Sequence, residues 1–157
     1  MSTFTNEELK SIIKGNPVGE FHPYNLAEYD HEAVNDYISS VVGSISAIKN
    51  LAIEANFDSY GSGYASYVDV FCYKKDGSSS EQKDYELWID GIRVYINRLA
   101  PVAIFGESEI KRVLEKFHFT ILDKTYLNEP LPFQAKIPTI LADPPYKLFD
   151  ALFYWED

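Results

Sequence analysis

Three histidines, one cysteine and a surplus of carboxylates are the side chains through which this sequence could do acid–base, nucleophilic or metal chemistry. His22 and His31 fall near Glu20 and Asp30, residue types that ligate metals. No HExxH occurs, however, and no spacing puts two such ligands on one helical face. His31 reads instead as a first-turn helix residue, His22 as a loop residue, and His118, between Phe117 and Phe119, as structural. Cys72 alternates with Val68 and Val70, as a small buried hydrophobe does in a strand. It lacks the electropositive setting that a reactive thiolate needs. Acidic groupings such as Glu28/Asp30/Glu32 and Glu107/Glu109 fit helix starts, where they favour the dipole. Sequence gives no carboxylate separation of the kind a two-acid hydrolase requires. The stretch YGSGYAS, residues 60–66, has neither the Lys-Ser/Thr ending of a phosphate loop nor the full GxGxxG spacing, and it precedes a strand rather than a helix. No catalytic set emerges and no cofactor is called for.

Recognition chemistry has more to work with. In LWIDGIRVYINRLAPVAIFG, residues 87–106, Asp90-Gly91 is the favoured two-residue type I′ turn, because both central positions want positive φ. That turn predicts a hairpin pairing Ile89 with Ile92, Leu87 with Val94, and Tyr85 with Ile96 on one apolar face. The other face then pairs Trp88 with Arg93 and Glu86 with Tyr95. A Trp88–Arg93 cation–π contact is worth ~0.5–1 kcal/mol if exposed. Phe71 and Tyr73, alternating along a neighbouring strand, are placed beside them. Trp, Tyr and Arg are the residue types that anchor protein interfaces. The competing expectation is that a helix or a proline-rich segment covers this face, since large exposed apolar patches are uncommon.

These residues need elements to hold them. Thr5-x-x-Glu8 is a capping box for a short first helix ending at Gly15-Asn16-Pro17. From His31 to Ala55, apolar residues keep helical spacing behind an Asp30 N-cap, with Gly43 a possible bend. Residues 65–75 and 84–98 read as strands, with the polar DGSSSEQK, 76–83, as a loop tip between them. A short strand over 102–105, an amphipathic helix in ESEIKRVLEKF and a strand over 119–122 follow. Residues 123–147 contain five prolines and read as an extended crossing over the surface. The segment KLFDALFYWED predicts a short helix running into a final strand. The fold class is therefore α+β: an antiparallel sheet, a meander with an Asp-Gly hairpin, packed against a long helix. A second amphipathic helix and a proline-rich C-terminal crossing complete it.

Composition narrows the function. With 157 residues the chain suits one domain that can bury a core without metal or disulfide. A single cysteine, a polar N-terminal stretch and the lack of an ~18-residue apolar run predict a soluble, cytoplasmic protein. The net charge is −10, from 24 acidic against 14 basic residues. It argues against nucleic acid and against anionic membranes, and it favours a basic partner. In size, charge and aromatic content the chain is similar to small acidic proteins that neutralise bacterial toxins, a likeness carried by composition and by no motif. The leading expectation is a non-enzymatic module that binds another, basic protein. Two alternatives remain: a small-molecule or carbohydrate-binding module using the same aromatics, and an enzyme with dispersed carboxylates, His22 or His118.

Overall fold

The structure, a computed structural model, describes residues 4–49, 51–57, 64–74, 80–83, 86–89, 92–104, 108–137 and 144–156. Helix α1 spans Asn6–Ile13 and opens with the capping box: Thr5 Oγ1 accepts from Glu8 N–H at 3.1 Å, and Glu8 Oε1 from Thr5 N–H at 2.9 Å. Helix α2 spans His31–Ser46, with Asp30 Oδ1 accepting from Ala33 N–H at 3.1 Å. It runs through Gly43 but stops well short of Ala55. Residues Leu51–Asn56 form strand β1 instead. The run Leu-Ala-Ile-Glu-Ala-Asn satisfies both the helical and the two-residue period. Pairing with a neighbouring strand decides between them, because Leu51, Ile53 and Ala55 thereby reach the core.

After β2 (Tyr64–Ala65) come β3 (Tyr67–Lys74), β4 (Ser80–Lys83), β5 (Glu86–Ile89), β6 (Ile92–Asn97) and β7 (Val102–Ile104). Helix α3 (Ser108–Lys116) leads to β8 (Thr120–Ile121). The main sheet has the order β1-β3-β6-β7-β8, antiparallel except for the parallel pair β7–β8. The sheet is thus mixed rather than antiparallel, because α3 is a crossover that returns the chain in its original direction.

The expected hairpin register is replaced. Strand β6 lies between β3 and β7, with Val94 opposite Val70 and Ile96 opposite both Val68 and Ala103. Those apolar neighbours match the Val94/Ile96 face. Strand β5 pairs with β4, so that the SEQK end of DGSSSEQK is a strand, and Trp88 lies opposite Glu81. Tyr85, Asp90 and Gly91 lie outside the described residues. The proline-rich crossing carries a helical turn, α4 (Lys124–Leu127), capped by Asp123. The chain then forms α5 (Leu148–Leu152) and β9 (Trp155–Glu156), which pairs with β2.

Strand alternation divides the buried residues into two clusters. Val34, Ile38, Val41 and Ile45 of α2 share one with Val68, Val70 and Cys72 of β3, Val94 and Ile96 of β6, and Ile110 and Leu114 of α3. Leu9 and Ile12 of α1 share the other with Val102 and Ile104 of β7 and with Leu148, Ala151, Leu152 and Phe153. Buried polar groups clasp the C-terminal segment. Ser66 Oγ donates to Leu152 O at 2.8 Å and accepts from Tyr154 N–H at 2.9 Å, and Tyr154 Oη donates to Ile12 O at 2.7 Å.

Arg98 is only 1% exposed. Its guanidinium donates to the Ala65 carbonyl at 2.7 Å, to the Phe57 carbonyl, and to Asn35 Oδ1 at 3.3 Å. It thereby ties α2 to the end of β1 and to β2 from one point, with backbone carbonyls as its acceptors. Among the described residues no helix is long and apolar enough to cross a membrane.

Candidate functional site

Because β3 and β6 are antiparallel neighbours in register, Phe71 lies directly opposite Arg93, and Asp69 opposite Tyr95. These four, with Tyr67 and Tyr73, share the sheet face away from α2. Arg93 reaches diagonally, placing Nη1 2.7 Å from Asp69 Oδ2. Its guanidinium carbon sits 5.1 Å from the Phe71 ring centroid. The Asp69 carboxylate is 10% exposed and the Arg93 side chain 52%. A half-exposed ion pair of this kind adds ~0–1 kcal/mol, and the cation–π contact about as much. Their larger effect is geometric: together they hold a planar cation over an aromatic ring.

The face is divided. Tyr95 packs on Tyr67 with centroids 4.7 Å apart, and Phe153 covers both at 6.2 and 5.9 Å. Phe153 itself stacks on Phe149, so the C-terminal helix closes this half. Phe71 and Tyr73, with centroids 5.7 Å apart, lie on the other half with Arg93. There β1 contributes Glu54 and Asn56, opposite Phe71 and Asp69 respectively. A small cavity of about 240 Å³ is lined by Glu54, Ala55, Asn56, Asp69, Phe71 and Arg93.

Of the six residues that the sequence nominates, Phe71, Tyr73, Arg93 and Tyr95 come together on one sheet face, with Tyr95 beneath Phe153. Trp88 and Glu86 stand on the separate β4–β5 ladder, opposite Glu81 and Lys83, and Arg93 lies over Phe71. Glu54 and Asn56 are additions to the site. The alternation in LAIEAN carries the signal for them, but it is masked by the helical spacing of the preceding segment.

The groups considered for catalysis fall elsewhere. Burial pushes the Cys72 thiol up to about 11, which leaves no thiolate near neutrality. His31 lies between Tyr29 Oη, 2.7 Å from Nδ1, and Asn35 Nδ2, 3.1 Å from Nε2. Burial, and then the charge of Arg98, hold its pKa below the ordinary histidine value, with Asp30 opposing. His118 packs against Phe21, with ring centroids 5.7 Å apart. Among the described residues no group of three or more His, Cys, Asp or Glu side chains is arranged to hold a metal ion. What this half-face brings together is a half-exposed cation, two partly buried aromatic rings and the acids Glu54 and Asp69. No protein-family model, no curated protein and no solved structure matches this chain.

Proposed function

We propose that the chain is a non-enzymatic binding module whose partner is a basic protein, in the manner of the immunity-type proteins that neutralise bacterial toxins. The observation that carries this reading is the half of the sheet face beside the one under Phe153, where Phe71, Tyr73 and the half-exposed Arg93 sit among Glu54, Asn56 and Asp69. Aromatic and arginine anchors ringed by polar groups are what interface centres are made of. A net charge of −10 supplies the long-range attraction for a basic partner. The small volume of the cavity, about 240 Å³, favours a protein over a small ligand, since small-molecule sites usually enclose ~300–1,000 Å³.

The test combines capture with substitution. Tagged protein is used to capture partners from native-host lysate at low salt and at ~0.5 M salt, where screening is short-ranged. The captured protein is identified, and its affinity is measured for the wild type and for Phe71→Ala/Tyr73→Ala. A basic partner, weakened by salt and bound at least ~10-fold less tightly by the double variant, supports the reading. A partner bound equally by both proteins sinks the proposed surface. Failure to capture any protein at either salt sinks the function.

A further inference from the structure

A second concave site lies away from the sheet face. It is a cleft of about 810 Å³ lined by Glu8, Glu20, Phe21, Pro101, His118 and Thr120, with Pro17, Val18 and Gly19 at its base. Four separate stretches of chain build it: α1, the 17–21 connection, the turn after β6, and the junction between α3 and β8.

Each wall is held by local structure. Val18 N–H donates to Leu99 O at 2.6 Å, anchoring the 17–21 connection to the turn after β6. Gly19 lets that connection pass against Tyr24, because a Cβ there would sit 2.5 Å from Tyr24 Cβ. Phe21 is fixed by edge contacts to Tyr24 and His118 at 5.6 and 5.7 Å. The Glu8 carboxylate is held by the α1 capping box. At the end of α3, Phe119 N–H bonds Leu114 O and His118 N–H bonds Glu115 O, both at 2.9 Å. This is the Schellman arrangement, and it puts His118 at the left-handed position, with φ 69°. Glycine would terminate the helix at least as well there. Histidine instead carries an imidazole into the cleft wall.

The electrostatics have one sign. Two carboxylates line the cleft, and the partly negative C-terminal end of α3 adds to them. No lysine or arginine is among its described lining residues. The Phe21 ring, braced by His118, gives an aromatic wall of the sort that attracts cations. Pro17, Val18 and Pro101 give aliphatic walls that suit a methylene stem. The volume greatly exceeds that of a bare ammonium ion and leaves room for such a stem.

We infer that this cleft binds an alkylammonium group, its charge set against Glu20, Glu8 and the Phe21 ring and its stem against Pro17, Val18 and Pro101. The same chemistry is offered by a free aliphatic amine and by a lysine side chain of a bound protein. The inference does not depend on the sheet-face reading.

Side-chain NMR of Phe21 and His118 tests it. The ligands are Nα-acetyl-lysine methylamide, n-butylammonium, and Nα-acetyl-norleucine methylamide as the uncharged counterpart of the first. Saturable shifts with a Kd of roughly millimolar are expected from the acetyl-lysine ligand, and at least ~5-fold weaker binding from the norleucine one. Equal binding of n-butylammonium assigns the site to free amines, whereas weaker binding assigns it to peptide-borne lysine. In Glu8→Gln/Glu20→Gln the Kd rises at least ~5-fold. Glutamine preserves the capping box, so the variant keeps its fold, which an unchanged unfolding midpoint verifies. The inference is overturned if neither ammonium ligand gives saturable shifts at Phe21 and His118, if norleucine binds as well as lysine, or if the double variant binds as the wild type does.

Discussion

Asn35 Nδ2 lies 3.1 Å from His31 Nε2, one turn along α2. The orientation of that amide is dictated from its other end. Arg98 Nε can only donate, so it must face Asn35 Oδ1, and Nδ2 is left to face the imidazole. Nε2 is therefore the acceptor, and the ring is neutral, with its proton on Nδ1 toward Tyr29 Oη. A proton added at Nε2 would oppose donor to donor. Flipping the amide would only move the conflict to Arg98.

Acid should therefore weaken the fold through His31. Its native pKa lies below the ordinary value of 6.5, owing to burial first and to Arg98 second. At pH well above 6.5 the ring is neutral in both states and the shift has no effect. As the pH falls below 6.5 the unfolded chain takes up the proton first, so stability is lost progressively through the native pKa. Thermal unfolding at several pH values between about 7.5 and 5 should show a smaller acid-induced drop for His31→Gln than for the wild type. Parallel curves for the two proteins would refute this role for the His31–Asn35–Arg98 hydrogen bonds.

Arg98→Met should be severe. Methionine keeps most of the apolar stem but strips the donor from two backbone carbonyls and from Asn35 Oδ1. A loss of about 2–4 kcal/mol is expected, read as a lower urea midpoint with an unchanged m-value. The same variant should raise the His31 pKa, because one of the causes of its depression is gone. An NMR titration of His31 separates that effect from simple destabilisation.

Two glycines should respond to alanine with opposite signs. At Gly43, inside α2, an added Cβ meets nothing within 4 Å. Gly43→Ala should stabilise by about 0.5–1 kcal/mol, through helix propensity and a less flexible unfolded chain. At Gly19 the new Cβ would press on Tyr24 Cβ, so Gly19→Ala should cost about 1–3 kcal/mol. Chemical denaturation of the pair measures both. If the two variants shift the midpoint the same way, the packing described around Tyr24 is wrong.

Legibility in the sequence followed the range of the interaction that decides each element. The caps at Thr5 and Asp30, the helix in ESEIKRVLEKF and the short C-terminal helix before β9 depend on neighbours a few residues away, and all were readable. The Leu51–Asn56 strand was not, because both periods fit it and only β3, far along the chain, breaks the tie. The partner of β6 is hidden for a similar reason: Asp90-Gly91 is a strong local signal, but Val68 and Val70 supply a better-matched neighbour for Val94 and Ile96. At the candidate site, alternation within β3 placed Phe71 and Tyr73 together. Which half of the face Phe153 covers could not be read, since its contact with Tyr67 spans some eighty residues.

The clasp on the C-terminal segment bears on how the protein comes into being. Leu152 and Tyr154 hydrogen-bond to Ile12, Ser66 and Asn97, partners made much earlier. Residues 148–153 also supply much of the apolar filling for Leu9, Ile12, Val102 and Ile104. Until residue 154 has left the ribosome, that side of the sheet has no lid, and its apolar groups face water or other chains. The α2 side can collapse while synthesis continues, whereas the other must wait. Proteolytic sensitivity of stalled nascent chains should therefore fall abruptly only once the 148–154 segment has emerged.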